Sequence, residues 1–212
     1  MNQAALDLLR NRVSVERFDA TRTIDDATVR DLIADAVEAP SSFNLQHWRF
    51  IAVRDPADRE ALCKIAYNQR QVADASVTFI ILADPEAPQL ARRSLQPAVD
   101  SGALPEGKAE AWIKMSQQFY AEPGAARDEA MRSGGLVAMQ LMLAAEARGL
   151  CSGALSGFDP KRLREHFDIP DRYIPVMLLA VGWAADTDEP RKTRLPVDDV
   201  LAFDRCRHFL EE

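Results

Sequence analysis

The chain has 212 residues, of which 47% are hydrophobic and 28% charged, a mixture typical of a folded globular protein rather than of a disordered one. Its 26 Lys and Arg residues against 33 Asp and Glu residues give a formal net charge of −7. Such an acidic surface repels phosphate backbones, which disfavours general nucleic-acid binding, and an anionic ligand would need a local cluster of cations. The length predicts one sizeable domain, or at most two small ones.

Cysteine spacing and hydropathy exclude several further classes. Cys63, Cys151 and Cys206 form no CxxC pair, so neither a disulfide framework nor a zinc site is indicated. The first residues lack the pattern of a signal peptide, and the most apolar stretch, 134–150, is too short and too interrupted to span a bilayer. We therefore expect a cytoplasmic protein that binds neither membrane nor nucleic acid.

In the first half of the chain, apolar residues recur at helical spacing from Val29 to Val37, after possible capping side chains at 23–26 and before Pro40. Residues 48–54 are rich in strand formers and end at Asp55-Pro56, which is typical of the start of a helix. Residues 76–83 (SVTFIILA) are almost wholly apolar, which predicts a strand buried on both faces.

Further along the chain, the pattern of 85–132 is helical but irregular, and Pro97, Pro105 and Pro123 are expected to break it into pieces. Residues 134–148 predict a helix that is apolar nearly all round, lies in the middle of the core and ends at Gly149. Asp159-Pro160 predicts another short helix, and 175–183 a second deeply buried strand. Strands separated by long helical stretches indicate an α+β layer fold.

The common catalytic signatures are absent. The sequence has no GxxxxGK[ST] loop, no GxGxxG after a strand, no HExxH and no EF-hand loop, and GALSG at 153–157 is one position out of register for a nucleophile elbow. His47, His166 and His208 have no metal-ligand spacing and are predicted to be surface or partly buried histidines. Hydrolase and metalloenzyme functions therefore have no residues to support them.

Two polar segments remain in the N-terminal quarter. In 12–18 (RVSVERF), Arg12 and Ser14 lie two apart in an extended segment, so they project to the same side and could bind one anion; a solvated charged turn is the alternative. In 39–48 (APSSFNLQHW), four hydrogen-bonding side chains lie between a helix end and a buried strand, which suits a ligand-binding loop. A helix-stop turn would explain only two of the four well.

Two more segments lie toward the C-terminus. The two glycines of 151–159 (CSGALSGFD) would let main-chain N–H groups approach a flat ligand, although a strand followed by a turn and an Asp159 cap is also possible. Three cations within four residues, at 191–194, are either a solvated basic tail or part of a phosphate site.

In this order, the four segments resemble the motifs of the FMN-dependent nitroreductase family over the full length of the chain. Residues 12–18 resemble its R-x-S-x-[RK]-x-F motif, and PSSFNLQHW at 40–48 is similar to P-S-S-x-N-x-Q-P-W. LSGFD at 155–159 resembles x-E-G-F-D, and KTRLP at 192–196 resembles K-x-R-L-P. No single motif is specific, but four in the correct order are.

The resemblance implies one nitroreductase-like domain over 1–212, with a central mixed or antiparallel sheet flanked by helices. It also implies an intertwined homodimer whose C-terminal tail, about 186–212, extends onto the partner subunit, and one FMN at each of two interface sites. The FMN contacts implied are Arg12, Ser14, Lys192 and Arg194 on the phosphate and ribityl chain; Ser41, Ser42 and Asn44 along the ring; Asn68 and Gln71 at its pyrimidine side; and Leu155, Ser156 and Gly157 over it.

The implied activity is a two-step oxidoreduction in which NAD(P)H reduces FMN at N5 and leaves, and a nitroaromatic, quinone or related conjugated acceptor is then reduced. Phe119 and Tyr120 fall where the family has aromatic side chains over the substrate pocket, or they are ordinary core aromatics. No catalytic acid, base or nucleophile is implied. The alternatives are a flavoenzyme of the same scaffold acting on an enone, semialdehyde or other specialised substrate, and a non-catalytic FMN-binding protein.

The sequence departs from the family pattern at several positions. Glu16 occupies the basic position of the first motif, and Arg17 comes one residue late. Gln71 replaces a lysine common in bacterial members, which predicts a lower flavin potential. His47 stands where proline is usual and Ser156 where glutamate is, and we expect these two changes to affect substrate preference more than flavin binding.

Overall fold

A four-stranded antiparallel sheet forms the centre of the protein in a computed structural model that describes residues 2–185 and 191–205. Its strand order is β1-β2-β4-β3, so β1 and β3 are the two edge strands. The predicted α+β class is confirmed, and the four strands pair only in antiparallel fashion. The strands are β1 (Trp48–Val53), β2 (Val77–Ala83), β3 (Cys151–Leu155) and β4 (Ile174–Gly182).

Eight α-helices accompany the sheet in the described ranges. None of the helices within 2–185 and 191–205 is both long and apolar enough to cross a membrane. Short 3₁₀ turns occur at Ser42–Asn44, Ala87–Leu90 and Val197–Asp199. The helices are α1 (Gln3–Asn11), α2 (Asp26–Ala36), α3 (Pro56–Ile65), α4 (Gln71–Asp74), α5 (Ala91–Asp100), α6 (Glu106–Phe119), α7 (Ala125–Ala147) and α8 (Pro160–His166).

Strand β2 separates two hydrophobic cores. On one face, Ile80 and Leu82 pack with residues of α3, α4 and α8; on the other, Phe79 and Ile81 pack with residues of α2 and α7. Every residue of β2 is buried, which confirms the prediction of a strand covered on both faces. The prediction was only partly correct for β4, because its first four residues are half-buried and only its last five are buried.

The helix starts follow the capping signals in the sequence. Asp25 accepts a hydrogen bond from the N–H of Thr28 at the start of α2. Asp55 and Asp159 cap α3 and α8 in the same way, each followed by a proline in the first helical turn, where the missing N–H has no helical partner to lose. These short-range signals therefore placed three helices correctly.

Helix α7 is longer and less buried than predicted. It begins at Ala125, after Gly124 with φ 84°, and not at 134, because the polar residues before Gly134 continue the same helical repeat and Ala130 is buried. Leu136 and Met139 are 47% and 39% exposed, so the helix is packed along one side and open on the other. It ends near Gly149, which has φ 70°, as expected of a helix C-terminus.

Two further helices differ from the sequence-based prediction. Pro97 was expected to end a helix, but it lies inside α5, which continues to Asp100. The buried Leu95, packed in a small core with residues of α6, holds this helix together despite the lost hydrogen bond. Helix α1 was not predicted, and it has no buried residue.

Candidate functional site

The two ends of the described chain meet beside strand β3. Arg191 donates from Nη1 to the carbonyl oxygens of Arg10 and Arg12, the latter at 3.0 Å. Lys192 forms an ion pair with Glu16, in which Nζ lies 2.9 Å from Oε1. Arg194 donates to the carbonyl oxygens of its own segment. We refer to Arg12, Arg191, Lys192 and Arg194 as the cationic cluster.

A close main-chain approach fixes the N-terminal part of this cluster on β3. Ser14 forms a parallel bridge with Ser152, and the N–H of Val15 donates to the carbonyl of Ser152 at 3.0 Å. Only glycine fits at 153, because a Cβ there would lie 2.6 Å from the carbonyl oxygen of Val15. The contact brings Ser14, and with it Arg12, to the outer edge of the sheet.

Arg12 keeps hydrogen-bonding capacity available for a ligand. Its Nη1 lies 3.5 Å from Ser14 Oγ, a weak contact. Its Nε is buried and has no hydrogen-bond partner among the residues that the structure describes. A buried unsatisfied donor is costly, and an anion bound beside Ser14 would satisfy it.

A turn at the other end of β3, residues 155–158, lies against the loop that leads into α4. Gln69 joins the two, because its Nε2 donates to the carbonyl oxygens of Gly157 at 2.8 Å and Ala66 at 3.0 Å. Sequence reasoning missed Gln69, and its place in a run of polar residues gave no signal of this bridging role. The bridge brings the predicted residues of the two segments, Asn68 and Gln71 on one side and Leu155, Ser156 and Gly157 on the other, into one region.

The side chains of this region differ in exposure. Leu155 is buried, whereas Ser156 and Gly157 are exposed. Asn68 is exposed with a left-handed backbone, φ 62°, and Gln71 is half-buried at the first position of α4. The region thus presents exposed polar and main-chain groups above a buried leucine, which suits the edge and face of a planar ligand.

The cationic cluster and this turn lie along one strand. At about 3.3 Å per residue, Ser152 and Leu155 are about 10 Å apart along β3, and the turn continues beyond Leu155. An elongated ligand with an anion at one end and a flat group at the other could therefore contact both.

The loop before β1, residues 41–47, has a strained backbone. Phe43, Asn44 and Gln46 have φ of 52°, 55° and 52°, values that non-glycine residues rarely adopt. The loop is closed by its own hydrogen bonds: Ser41 Oγ accepts from the N–H of Gln46 at 2.9 Å, and the carbonyl of Ser41 accepts from the N–H of Asn44 at 3.0 Å. Strain of this kind persists only where the surroundings hold it, and it concentrates at ligand-binding sites. We call this segment the serine loop.

A charged group holds the serine loop on the sheet. Arg49 donates from Nη1 to the carbonyl oxygens of Gln46 and Trp48, at 3.0 and 2.7 Å, and from Nη2 to the carboxylate of Asp84 at 3.0 Å. Asp84, at the end of β2, is completely buried and also binds Arg172. Asp84 and Arg49 were not among the predicted site residues, since an isolated Asp after a buried strand also fits a simple turn.

His47 is completely buried, so the prediction of a surface or partly buried histidine was wrong. Its Nδ1 lies 3.2 Å from Ser133 Oγ on α7, and its Nε2 has no hydrogen-bond partner among the described residues. Burial lowers the pKa of His47, an effect partly opposed by Glu129 and Asp84. A neutral imidazole thus anchors the serine loop to α7.

Phe119 and Tyr120 lie beside the serine loop at the end of α6. The Tyr120 ring packs edge-on against Phe43, His47 and Phe119, with centroid distances of 6.3, 5.9 and 5.1 Å. Phe119 is mostly exposed, whereas Tyr120 is half-buried and burial raises its pKa. Tyr120 therefore supports the loop from within, and Phe119 is the member of the pair whose ring is exposed.

A single chain does not bring all the predicted residues together. The serine loop precedes the edge strand β1, whereas the cationic cluster and the turn at 155–158 lie on the opposite edge strand, β3. The two edge strands are three strand spacings apart, about 14 Å. Of the predicted FMN contacts, Ser41, Ser42 and Asn44 therefore form one predicted half-site, and the remaining nine form a second.

Of the other described histidines and cysteines, only Cys63 contacts a residue named above, donating from Sγ to the carbonyl oxygen of Gln69 at 3.4 Å. His166 lies on α8, with Nε2 3.4 Å from Asp58, and the Cys63 and Cys151 thiols are free, with pKa values raised by burial. Cys206 and His208 lie outside the described residues, as do 186–190 and 206–212 of the predicted tail.

Fold and site together define an α+β protein with a cationic cluster and an exposed polar turn on one sheet edge, and a strained polar loop on the other. The family model for the nitroreductase family matches residues 9–183, and the chain belongs to that family.

Relatives cover nearly the whole chain. It is 33% identical over 198 residues to the "Putative NAD(P)H nitroreductase YodC" of Bacillus subtilis, covering 93% of this chain and 98% of that one. It is 31% identical to the CLA biosynthesis enone reductase of Lactiplantibacillus plantarum, covering 91% and 90%. A nitroreductase-type structure from Exiguobacterium sibiricum, solved in complex with FMN, superposes with a TM-score of 0.88 at 30% identity and covers 94% of this chain and 96% of that one.

Proposed function

We propose that this protein is an FMN-dependent NAD(P)H oxidoreductase that reduces nitroaromatics, quinones or related conjugated acceptors by a two-step, ping-pong reaction. The observation that carries the proposal is the meeting of the two chain ends in a cationic cluster beside β3, with the exposed polar turn at 155–158 at the other end of the same strand. This arrangement fits a ligand with a phosphate at one end and a flat ring at the other.

The phosphate and ribityl chain would be held by Arg12, Ser14, Lys192 and Arg194. A phosphate carries about −1.5 to −2 charges at neutral pH, and a chain of net charge −7 needs a local concentration of cations to hold it. The buried and unsatisfied Nε of Arg12 supports this assignment, because it is a donor without a partner in the described part of the chain.

The ring would lie over the turn at the end of β3. Leu155, Ser156 and Gly157 would face the ring, with a main-chain N–H of the turn near N5, and Asn68 and Gln71 would contact the pyrimidine side. The Gln69 bridge to Gly157 supports this role, because it fixes the two segments relative to each other. Bound FMN would supply the hydride-transfer chemistry between NAD(P)H and the acceptor. The residues around the ring would position it and exclude water, and Phe119, with Tyr120 behind it, would contact the acceptor.

A second copy of the chain would supply Ser41, Ser42 and Asn44 to the ring, since these residues lie on the opposite edge of the sheet. Exposed apolar side chains support such a homodimer: Leu136 and Met139 on α7, and a group in the tail made up of Leu195, Val197, Val200, Leu201 and Phe203. The predicted extension of the tail, about 186–212, onto the partner would have to begin after Arg194, since Arg191 and Lys192 contact the N-terminal segment of their own chain. We expect the dimer to be cytoplasmic.

The same site could serve a more specialised acceptor. The similarity to an enone reductase favours this second candidate, in which the hydride goes to a conjugated carbonyl compound. Steady-state assays at one NADPH concentration, with a nitroaromatic, a quinone and an enone, would compare kcat/KM for the three acceptors.

The visible spectrum of the purified protein is the first test of the proposal. We expect a flavin band that bleaches when NADH or NADPH is added anaerobically. A protein that shows no band and regains none with FMN would contradict the cofactor assignment. A band that neither donor bleaches would indicate a non-catalytic flavin-binding protein.

Substitution tests the phosphate assignment. The double variant Lys192→Ala, Arg194→Ala should weaken FMN binding strongly, by about tenfold or more, because it removes two charge-assisted contacts. Its matched control is Lys161→Ala, Arg162→Ala, which removes the same two charges from the exposed surface of α8. Equal FMN affinity in both double variants would move the phosphate site elsewhere.

A further inference from the structure

A carboxylate lies within the cationic cluster. Glu16 Oε1 is 2.9 Å from Lys192 Nζ, although the two residues are 176 positions apart in the chain. Both side chains are largely exposed, 64% for Glu16 and 73% for Lys192. This ion pair therefore lies at the exposed surface of the cluster.

The N-terminal segment projects Glu16 to the same side as Ser14. Val15 is buried and Val13 packs against the core, whereas Ser14 and Glu16, two residues apart, are exposed. This alternation is that of an extended segment with one face on the protein and one face in solvent. Glu16 thus shares the open face of the segment with a predicted phosphate contact.

Two cations of the cluster, Arg191 and Lys192, already have partners within the protein. Arg191 is engaged with main-chain carbonyl oxygens of Arg10 and Arg12, which gives it a structural role. Lys192 is shared with the Glu16 carboxylate. A phosphate entering the cluster would have to share Lys192 with this carboxylate and would experience its like charge.

We infer that Glu16 is a specificity-determining residue of the flavin site, which weakens the preference of the site for a flavin that carries a phosphate, FMN, over one that lacks it, riboflavin. The inference rests on the proposed function, since it needs the cationic cluster to bind the FMN phosphate. Its physical basis is that the carboxylate repels the phosphate and competes with it for Lys192, whereas neither effect acts on riboflavin.

The test compares the Kd values of FMN and riboflavin for the flavin-free, full-length protein by quenching of flavin fluorescence. Glu16→Gln should bind FMN about fivefold more tightly than the wild type, and Glu16→Lys about thirtyfold, with the affinity for riboflavin changed by less than about twofold. The gain in FMN affinity of the two Glu16 variants should shrink as NaCl is raised from 0.05 to 0.5 M. The Debye length is about threefold longer at the lower concentration, so the charge of residue 16 acts over a longer distance there. Glu165→Lys, an equal charge change on exposed α8, is the matched control and should leave both Kd values unchanged.

Three outcomes would overturn the inference: no tightening of FMN in either Glu16 variant, equal tightening of riboflavin, or the same gain in Glu165→Lys. Lys192→Ala separates this failure from failure of the proposed function. If Lys192→Ala weakens FMN binding while the Glu16 variants change nothing, only the role of Glu16 is wrong. If Lys192→Ala also leaves FMN binding unchanged, the phosphate site and the inference fail together.

Discussion

Arg172 donates two hydrogen bonds to the carboxylate of Asp84, from Nε to Oδ1 at 2.8 Å and from Nη2 to Oδ2 at 2.7 Å. Arg49 binds the same carboxylate at 3.0 Å, so two guanidinium groups share one buried anion. Arg49 in turn holds the carbonyl of Gln46, in the strained serine loop. The position of that loop thus depends on a charge buried at the end of β2, outside the loop itself.

Asp84→Asn should lower the free energy of unfolding by about 1.5–3 kcal/mol, because the neutral amide loses charge-assisted hydrogen bonds from two guanidinium groups that are themselves only partly buried. Urea unfolding at pH 7.5 measures the change. The matched control is Asp26→Asn, which breaks an ion pair between Arg54 and a largely exposed carboxylate and should cost no more than about 1 kcal/mol. Equal losses in the two variants would show that burial of Asp84 does not add to the stability.

His47 should make the stability depend on pH. Burial lowers its pKa in the folded state, while the unfolded chain has the ordinary value of about 6.5. Below about pH 6.5 the unfolded state therefore binds a proton that the folded state does not, and stability is lost as the pH falls toward the folded pKa. For a single group the slope is at most about 1.4 kcal/mol per pH unit.

Urea unfolding of the wild type and of His47→Asn at pH 7.5 and 5.5 checks this expectation. The variant should lose less stability between the two pH values than the wild type, whatever its absolute stability. His166→Asn, which removes a histidine from α8, serves as the control. An unchanged pH dependence in His47→Asn would show that a group other than His47 is responsible.

Gly153→Ala should destabilise the protein by about 1–3 kcal/mol, because the added Cβ would lie 2.6 Å from the carbonyl oxygen of Val15. Relief of this clash would move the N-terminal segment away from β3, so FMN affinity should fall as well. The control Gly107→Ala, in α6 with no atom within 4 Å of the new Cβ, should be neutral or stabilising by roughly 0.5 kcal/mol. A stable Gly153→Ala variant with full FMN affinity would contradict the close approach.

Gln71→Lys should raise the flavin midpoint potential, because an ammonium group near the ring stabilises negative charge on the reduced form better than a neutral amide does. Spectroelectrochemistry measures the potential, and a rise of about 30 mV corresponds to a tenfold change in the two-electron equilibrium. Gln89→Lys adds the same charge at an exposed position beyond β2 and should not change it. No rise in Gln71→Lys would remove Gln71 as the reason for a low potential.

Local signals in the sequence were enough to predict most of the helices and strands of the fold. The Asp-Pro pairs at 55–56 and 159–160 mark the starts of α3 and α8, and the apolar run at 76–83 marks the central strand. Local signals failed where tertiary packing decided the outcome. Pro97 lies inside α5 because Leu95 is buried there, and α7 extends nine residues before 134 because polar residues can continue a helix that is packed along one side.

The predicted site residues were found by motif, whereas the residues that hold them were not. Gln69, Arg49 and Asp84 contact main-chain atoms or one another across separations of up to 88 residues, and no spacing pattern in the sequence reports such contacts. His47 could not be predicted as buried for the same reason, since its partner Ser133 is 86 residues away. The sequence could likewise not reveal that the two half-sites lie on opposite edges of one sheet.

The two predicted half-sites lie on opposite edges of one sheet, so a complete site would need two copies of the chain. If a second copy supplies the serine loop, FMN binding should depend on dimerisation, and the exposed stripe of α7 is the surface to disrupt. Leu136→Glu, combined with Met139→Glu, places two carboxylates on a surface that would be buried between apolar partners, which costs several kcal/mol in an interface. We expect sedimentation velocity to show a monomer and the flavin band to be lost together.

Lys161→Glu, at an exposed position of α8, changes the charge by the same two units and should leave a flavin-loaded dimer. A stable monomer of the α7 variant that retains FMN would show that one chain contains a complete site, and the serine loop would then need another role.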